Sequence, residues 1–177
     1  MATTWVALLR GINVGRNKRV AMADLRRILT SLGYDDVRTL LMSGNAVFTT
    51  DIGSAAEVAA AVEGAIASDL GMDVKVLVRS GAEIDRVVRE NPFVKDGIPG
   101  TQLHAIFLAA NPTRKITVDP ASVAPDELSL GERVLYIFVP NGLSGSTLPD
   151  FGKELGGMTV TARNWNTVLK LQAAVAG

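Results

Sequence analysis

Residues 4–80 switch between two apolar spacings, and the order of the switches restricts the fold more than any other feature. "TWVALLRG" (4–11) is a continuous apolar run of strand length, suited to a central strand. From Val20 onward, Met22, Leu25, Ile28, Leu29 and Leu32 fall at helical spacing, and Gly33 stands where such a helix would stop. "VRTLLMSGNAVFTT" (37–50) splits into two strand-like runs about Gly44-Asn45, a two-residue hairpin signal. Ser54 and Glu57 have the spacing of a capping box. Val58, Val62, Ile66 and Leu70 then form a second helical stripe, closed by Gly71. "DVKVLVRS" (73–80) alternates and is β-branched, as a strand should be. The resulting βαββαβ order is that of a ferredoxin-like unit. It predicts a four-stranded antiparallel sheet with both helices on one face.

The order recurs, with weaker signals, after a helix at 82–90 and a turn-rich linker, "FVKDGIPGT" (93–101). "QLHAIFLA" (102–109) reads as a strand, and 112–123 as a weak helix interrupted by Pro120. "ELSLGERVLYIFVP" (127–140) reads as a hairpin turning at Gly131-Glu132, and 148–155 as a short helix with Pro149 in its first turn. "GMTVTA" (157–162) is a strand, and a last helix runs from Asn164, its N-cap, to Val175. No residue-level repeat is evident between the halves. The expected fold is therefore α+β, with two tandem ferredoxin-like halves. These are 1–80 and 101–177, with a helix and linker over 81–100 and an extra C-terminal helix.

Composition narrows the function. The 177 residues are 47% hydrophobic with mean hydropathy +0.24, which supports a packed core and argues against disorder. Eighteen basic residues balance eighteen acidic ones, which argues against a whole-molecule polyelectrolyte and leaves a local basic patch open. The absence of cysteine excludes disulfides, thiolate metal sites and a cysteine nucleophile. His104, the one histidine, cannot build a usual zinc site and reads as a structural residue of its strand. G-x-S-x-G, H-E-x-x-H, Walker A and G-x-G-x-x-G patterns are all missing. Neither metal nor cofactor is expected. "MATTWVALLRG" is a poor signal peptide and too short to span a bilayer, so a cytoplasmic protein without a membrane partner is expected.

The chemistry concentrates in "RGINVGRNKR" (10–19), where Arg10, Arg16, Lys18 and Arg19 occur without an acid and alternate with Gly11, Asn13 and Gly15. In a βαββαβ unit this loop, the turn between the second and third strands and the loop before the fourth emerge at one sheet edge. Ser43, Gly44 and Asn45 would then face the cations. Glycines permit close backbone approach, asparagines offer oriented hydrogen bonds, and the helix N-terminus adds partial positive charge. Such an edge either crosses the sheet with its cations solvated or cradles an anion. Arg163, in "TARNWNTVL" (161–169), is the remaining candidate. It could support the cradle or pair with a carboxylate. "NGLSGSTLPD" (141–150) is a turn in which Ser146 or Thr147 would cap the following helix.

"LRGINVGRNKRVAMADLR", "SGNAVF" and "RNWNTVLKL" together resemble an uncharacterised bacterial family, domain of unknown function 1697. The resemblance implies a two-part α+β protein of bacterial type with no established activity. It marks Arg10, Gly11, Asn13, Gly15, Lys18, Met22, Ser43, Gly44, Asn45, Arg163, Asn164, Trp165, Asn166 and Thr167 as motif positions without assigning roles. In that family the loop commonly carries a second glycine and a proline, where this chain has Arg16 and Ala21. The leading functional expectation is binding of a phosphate-bearing ligand, a nucleotide or a nucleic acid, at this edge. A small-molecule enzyme with an inter-domain site is the second class. A structural module that forms homo-oligomers through an open sheet face is the third.

Overall fold

The computed structural model describes all 177 residues. Two compact units are present, one comprising Met1–Asp85 with Lys170–Gly177 and the other Arg86–Leu169. In the first, β1 (Thr3–Leu9), β2 (Asp35–Leu40), β3 (Asn45–Thr50) and β4 (Val76–Ser80) form one sheet in the order β2-β3-β1-β4, every pairing antiparallel. Helices α1 (Met22–Ser31) and α2 (Ala55–Leu70) share a core on one side of it. Leu25, Ile28 and Leu29 of α1 and Val58, Val62 and Ile66 of α2 pack with Trp5, Ala7, Leu9, Phe48 and Val78 of the strands. Tyr34 stacks on Phe48 with ring centroids 4.7 Å apart and planes 8° from parallel. The two helical stripes read from the sequence therefore bury against a common sheet face, as their spacing requires.

The opposite face is withdrawn from water as well. Val6, Leu8, Val47 and Leu77 alternate with the core residues along their strands, and none exceeds 5% exposure.

Local chemistry explains the element ends. Ser54 Oγ accepts from Glu57 N at 3.2 Å, which caps α2. Glu57 returns its carboxylate to the Ser54 hydroxyl (2.7 Å), and α2 stops at Gly71, which holds φ +65°. A reciprocal capping box joins β4 to α3 (Gly81–Glu90): Glu83 N donates to Ser80 Oγ at 3.2 Å and Ser80 N to Glu83 Oε2 at 2.8 Å. The hairpin between β2 and β3 departs from expectation. Its turn is 41–44, and Asn45 is already the first residue of β3, opposite Leu40.

In the second unit β5 (Leu103–Leu108), β6 (Glu127–Gly131), β7 (Val134–Phe138) and β8 (Val160–Asn164) form a sheet in the order β6-β7-β5-β8, again antiparallel throughout. Three details correct the sequence reading. The crossover keeps one helical turn, α4 (Pro120–Val123), and Pro120 opens it behind the Asp119 cap, because a first-turn proline has no N–H to lose. The β6–β7 turn is Glu132-Arg133, with Arg133 at φ +53°. Asp150 caps α5 (Phe151–Glu154), so Pro149 precedes that helix, and Ser146 instead donates to Asp126 Oδ2 at 2.7 Å. α6 (Trp165–Ala176) begins as expected, with Thr167 N donating to Asn164 Oδ1 at 3.0 Å.

Backbone bonding discloses a repeat that side-chain identities hide. Leu9 N donates to Gly44 O and Arg10 N to Lys75 O, each at 2.9 Å. In the second unit Leu108 N donates to Arg133 O (2.9 Å) and Ala109 N to Thr159 O (3.0 Å). The registers agree from there. Arg79 lies opposite Val6 on β4, and Arg163 opposite Ala105 on β8. Both arginines are buried, and each donates to the carbonyl of the residue before it. Each is followed by the residue that caps the next helix, Ser80 or Asn164.

Candidate functional site: the cationic edge of the first unit

Three connections meet at one edge of the first sheet, as the βαββαβ order predicts. Asn13 holds two of them together. Its Nδ2 donates to Val20 O and to Met42 O, both at 2.8 Å, and its Oδ1 accepts from Val20 N at 2.9 Å. The third connection arrives through Lys18, whose Nζ donates to Asp73 O at 2.6 Å. Between these anchors 13–18 forms a miniature hairpin, with Asn13 N bonded to Lys18 O at 3.1 Å and a bridge between Val14 and Asn17. Gly15 takes the positive φ of its turn (+61°), and Arg16 follows in ordinary backbone. A turn of that kind needs a glycine only at its first central position, so arginine fits at the second. Ala21 holds φ −72°, an angle proline would also keep.

The polar turn has a different job from the one expected. Asn45 is fully buried, and its Nδ2 donates to Leu40 O (2.7 Å) and Ser43 Oγ (3.0 Å). Gly44 is packed under the loop at φ +89°, where an added Cβ would meet Ile12 Cδ1 at 2.7 Å and Leu9 Cβ at 2.8 Å. Asn13, Gly44 and Asn45 thus build the edge, and their hydrogen-bonding capacity is directed inward. Sequence reading missed this because all the partners but Ser43 are remote or belong to the backbone.

The cations face the other way. Arg10, Gly11, Val14, Asn17, Lys18 and Lys75 line an open groove of about 430 Å³. Arg10, Arg16, Arg19 and Lys75 are exposed. Lys75 was not among the residues singled out from the sequence. It is the cation of an alternating strand, indistinguishable there from any solvated lysine, and only its bond to Arg10 N marks its place. Ser43 is exposed at the turn. Arg163 belongs to the second unit, where it is 6% exposed and donates to Thr161 Oγ1 and Ala162 O, both at 2.8 Å. Burial pulls its guanidinium down to about 10.

His104 is 6% exposed on β5, and its Nδ1 has no hydrogen-bond partner. Burial lowers its pKa below the ordinary 6.5, so the ring stays neutral where an unfolded histidine would already take a proton. The unfolded state then binds more protons below about pH 6.5. Stability is full above that pH and is lost as pH falls, by at most about 1.4 kcal/mol per pH unit. Chemical denaturation of the native protein between pH 7 and pH 5 should show this slope, and His104→Gln should flatten it. An unchanged slope in the variant would assign the acid sensitivity elsewhere.

The fold and the edge define a class: a two-unit α+β protein presenting a hydrogen-bonded, cation-bearing loop, with no helix long and apolar enough to cross a membrane. The chain belongs to the family described as "Protein of unknown function (DUF1697)", which matches residues 2–136. No curated protein matches it. Among solved structures it is similar to the conserved bacterial protein SP0830 from Streptococcus pneumoniae, with TM-score 0.73 and 22% identity over 99% of each chain. At that identity the likeness concerns the fold.

Proposed function

We propose that the protein binds phosphate-bearing ligands at the Arg10–Lys18–Lys75 groove, on the first of two ferredoxin-like units. The strand order β2-β3-β1-β4, repeated as β6-β7-β5-β8, supports the ferredoxin-like description. One observation carries the binding reading. The backbone joint that Arg10 and Lys75 make is made in the second unit by Ala109 and Thr159. The joint has no need of charged side chains, so the two cations that flank the groove are surplus to the architecture. Charge-assisted bonds to phosphate oxygens are the strong kind.

The test is titration with inorganic tripolyphosphate and ATP at low salt, comparing native protein with Arg10→Ala/Lys75→Ala. Binding should weaken about tenfold or more in the double variant, since each lost bond to a charged group is worth about 1.5–3 kcal/mol before solvent screening. The melting temperature should hardly move, because the backbone bond remains. Failure of every phosphate probe to bind, or binding indifferent to the substitution, would overturn the reading.

A further inference from the structure

We propose that the ligand of this edge is a nucleic acid duplex, gripped through its phosphate backbone without reading the bases. The inference rests on the phosphate-binding reading above and specifies the ligand class.

The cations are spread along the edge. Arg10 and Lys75 stand at strand ends beside the groove, whereas Arg16 occupies the tip of the 13–18 hairpin and Arg19 follows it. Cations at the tip and at the base of the loop offer separate points of contact. A duplex, with one charge per about 1.7 Å of its axis, presents phosphates to both. Two of the three amides at this edge are occupied within the fold, which leaves Asn17 alone in the groove lining. Both polar atoms of the Asn13 amide are bonded within the loop and turn, and the Asn45 amide is buried beneath them. The groove lining contains no aromatic ring, so an unpaired base has nothing to stack on. Paired bases stack on one another and make no such demand.

Shape points the same way. The hairpin tip is exposed and carries an apolar side chain, Val14, that is 69% exposed between cations. A narrow two-stranded projection with an apolar flank fits a groove of the duplex, with the sugars against Val14 and the phosphates against the cations on either side. Asn13 and the Lys18–Asp73 bond hold the projection in place before any ligand arrives, so little ordering cost accompanies binding. The chain as a whole has zero net charge, which makes the attraction local and salt-sensitive.

Fluorescence anisotropy with a labelled DNA duplex of about 16 base pairs tests this, against a single strand of the same length, ATP and poly-glutamate as competitors. At low salt the duplex should bind with a dissociation constant of about 10⁻⁴–10⁻⁶ M or tighter, in the range of sequence-independent binding. It should outcompete the other three. Arg16→Ala/Arg19→Ala, which alters only exposed side chains, should weaken duplex binding about tenfold and reduce the slope of log K against log salt by about 2. ATP binding should be left nearly unchanged, since neither residue lines the groove. Equal affinity for ATP and duplex, with both insensitive to Arg16 and Arg19, would overturn the duplex inference and leave the phosphate reading standing. So would preference for the single strand, or competition by poly-glutamate as effective as that by duplex. If neither ATP nor duplex binds, both proposals fall.

Discussion

Gly44→Val should lower the unfolding free energy by about 2–6 kcal/mol, read as an earlier midpoint in urea. Two costs add. A β-branched residue at φ +89° is strained by about 1–3 kcal/mol. Its side chain must also enter space held by Ile12 and Leu9, both buried, and overpacking of that kind costs about 1–3 kcal/mol. Gly15→Val is the matched comparison. Gly15 also has positive φ, +61°, but nothing lies within 4 Å of an added Cβ. That variant should pay only the strain. Equal losses in the two variants would show that Gly44 matters for its backbone angle and that the contact with Ile12 does not.

Asn13→Ala removes three hydrogen bonds at once and should cost about 1.5–4 kcal/mol. Val20 is 2% exposed, and its N–H and carbonyl lose the partner they share. Asn13 also sits at φ +54°, which asparagine tolerates better than alanine. Hydrogen exchange at the Val20 amide should quicken along with the loss of stability. Asn13→Asp separates the contributions. Its carboxylate can still accept from Val20 N, but it faces the carbonyls of Val20 and Met42 with no proton to offer either. It should be no better than alanine. An unchanged denaturation midpoint in both variants would mean that the side chain does not hold the loop and the turn together.

The sequence carried the order of elements and the meeting of three connections at one edge, because both follow from apolar spacing and the handedness of the crossover. Asn13 and Asn45 were legible as polar turn residues. That they serve the fold was not, since the partners of Asn13 include a carbonyl at Met42 and those of Asn45 include one across the hairpin at Leu40. Lys75 was hidden for the converse reason. Its importance comes from neighbours at Arg10 and Lys18 that a strand pattern does not disclose. The repeat between units escaped because it is written in backbone bonds. Arg10 answers to Ala109, Gly44 to Arg133 and Lys75 to Thr159, pairs with no chemical likeness. Leu9 and Leu108 match, but as ordinary strand leucines, and Arg79 and Arg163 match while looking like ordinary strand cations until their burial is known.

The first unit is discontinuous, and this has a consequence for its biosynthesis. Gly81 opens α3 where an added Cβ would collide with Val175, so the final turns of α6 close over a site formed almost a hundred residues earlier. At about 5–20 residues per second, a ribosome takes roughly 5–19 s to travel from one to the other. Until then the first unit lacks the segment that seals the start of α3. The first unit therefore reaches its finished form only after α6 has been made, although most of it is the first part of the molecule to be synthesised.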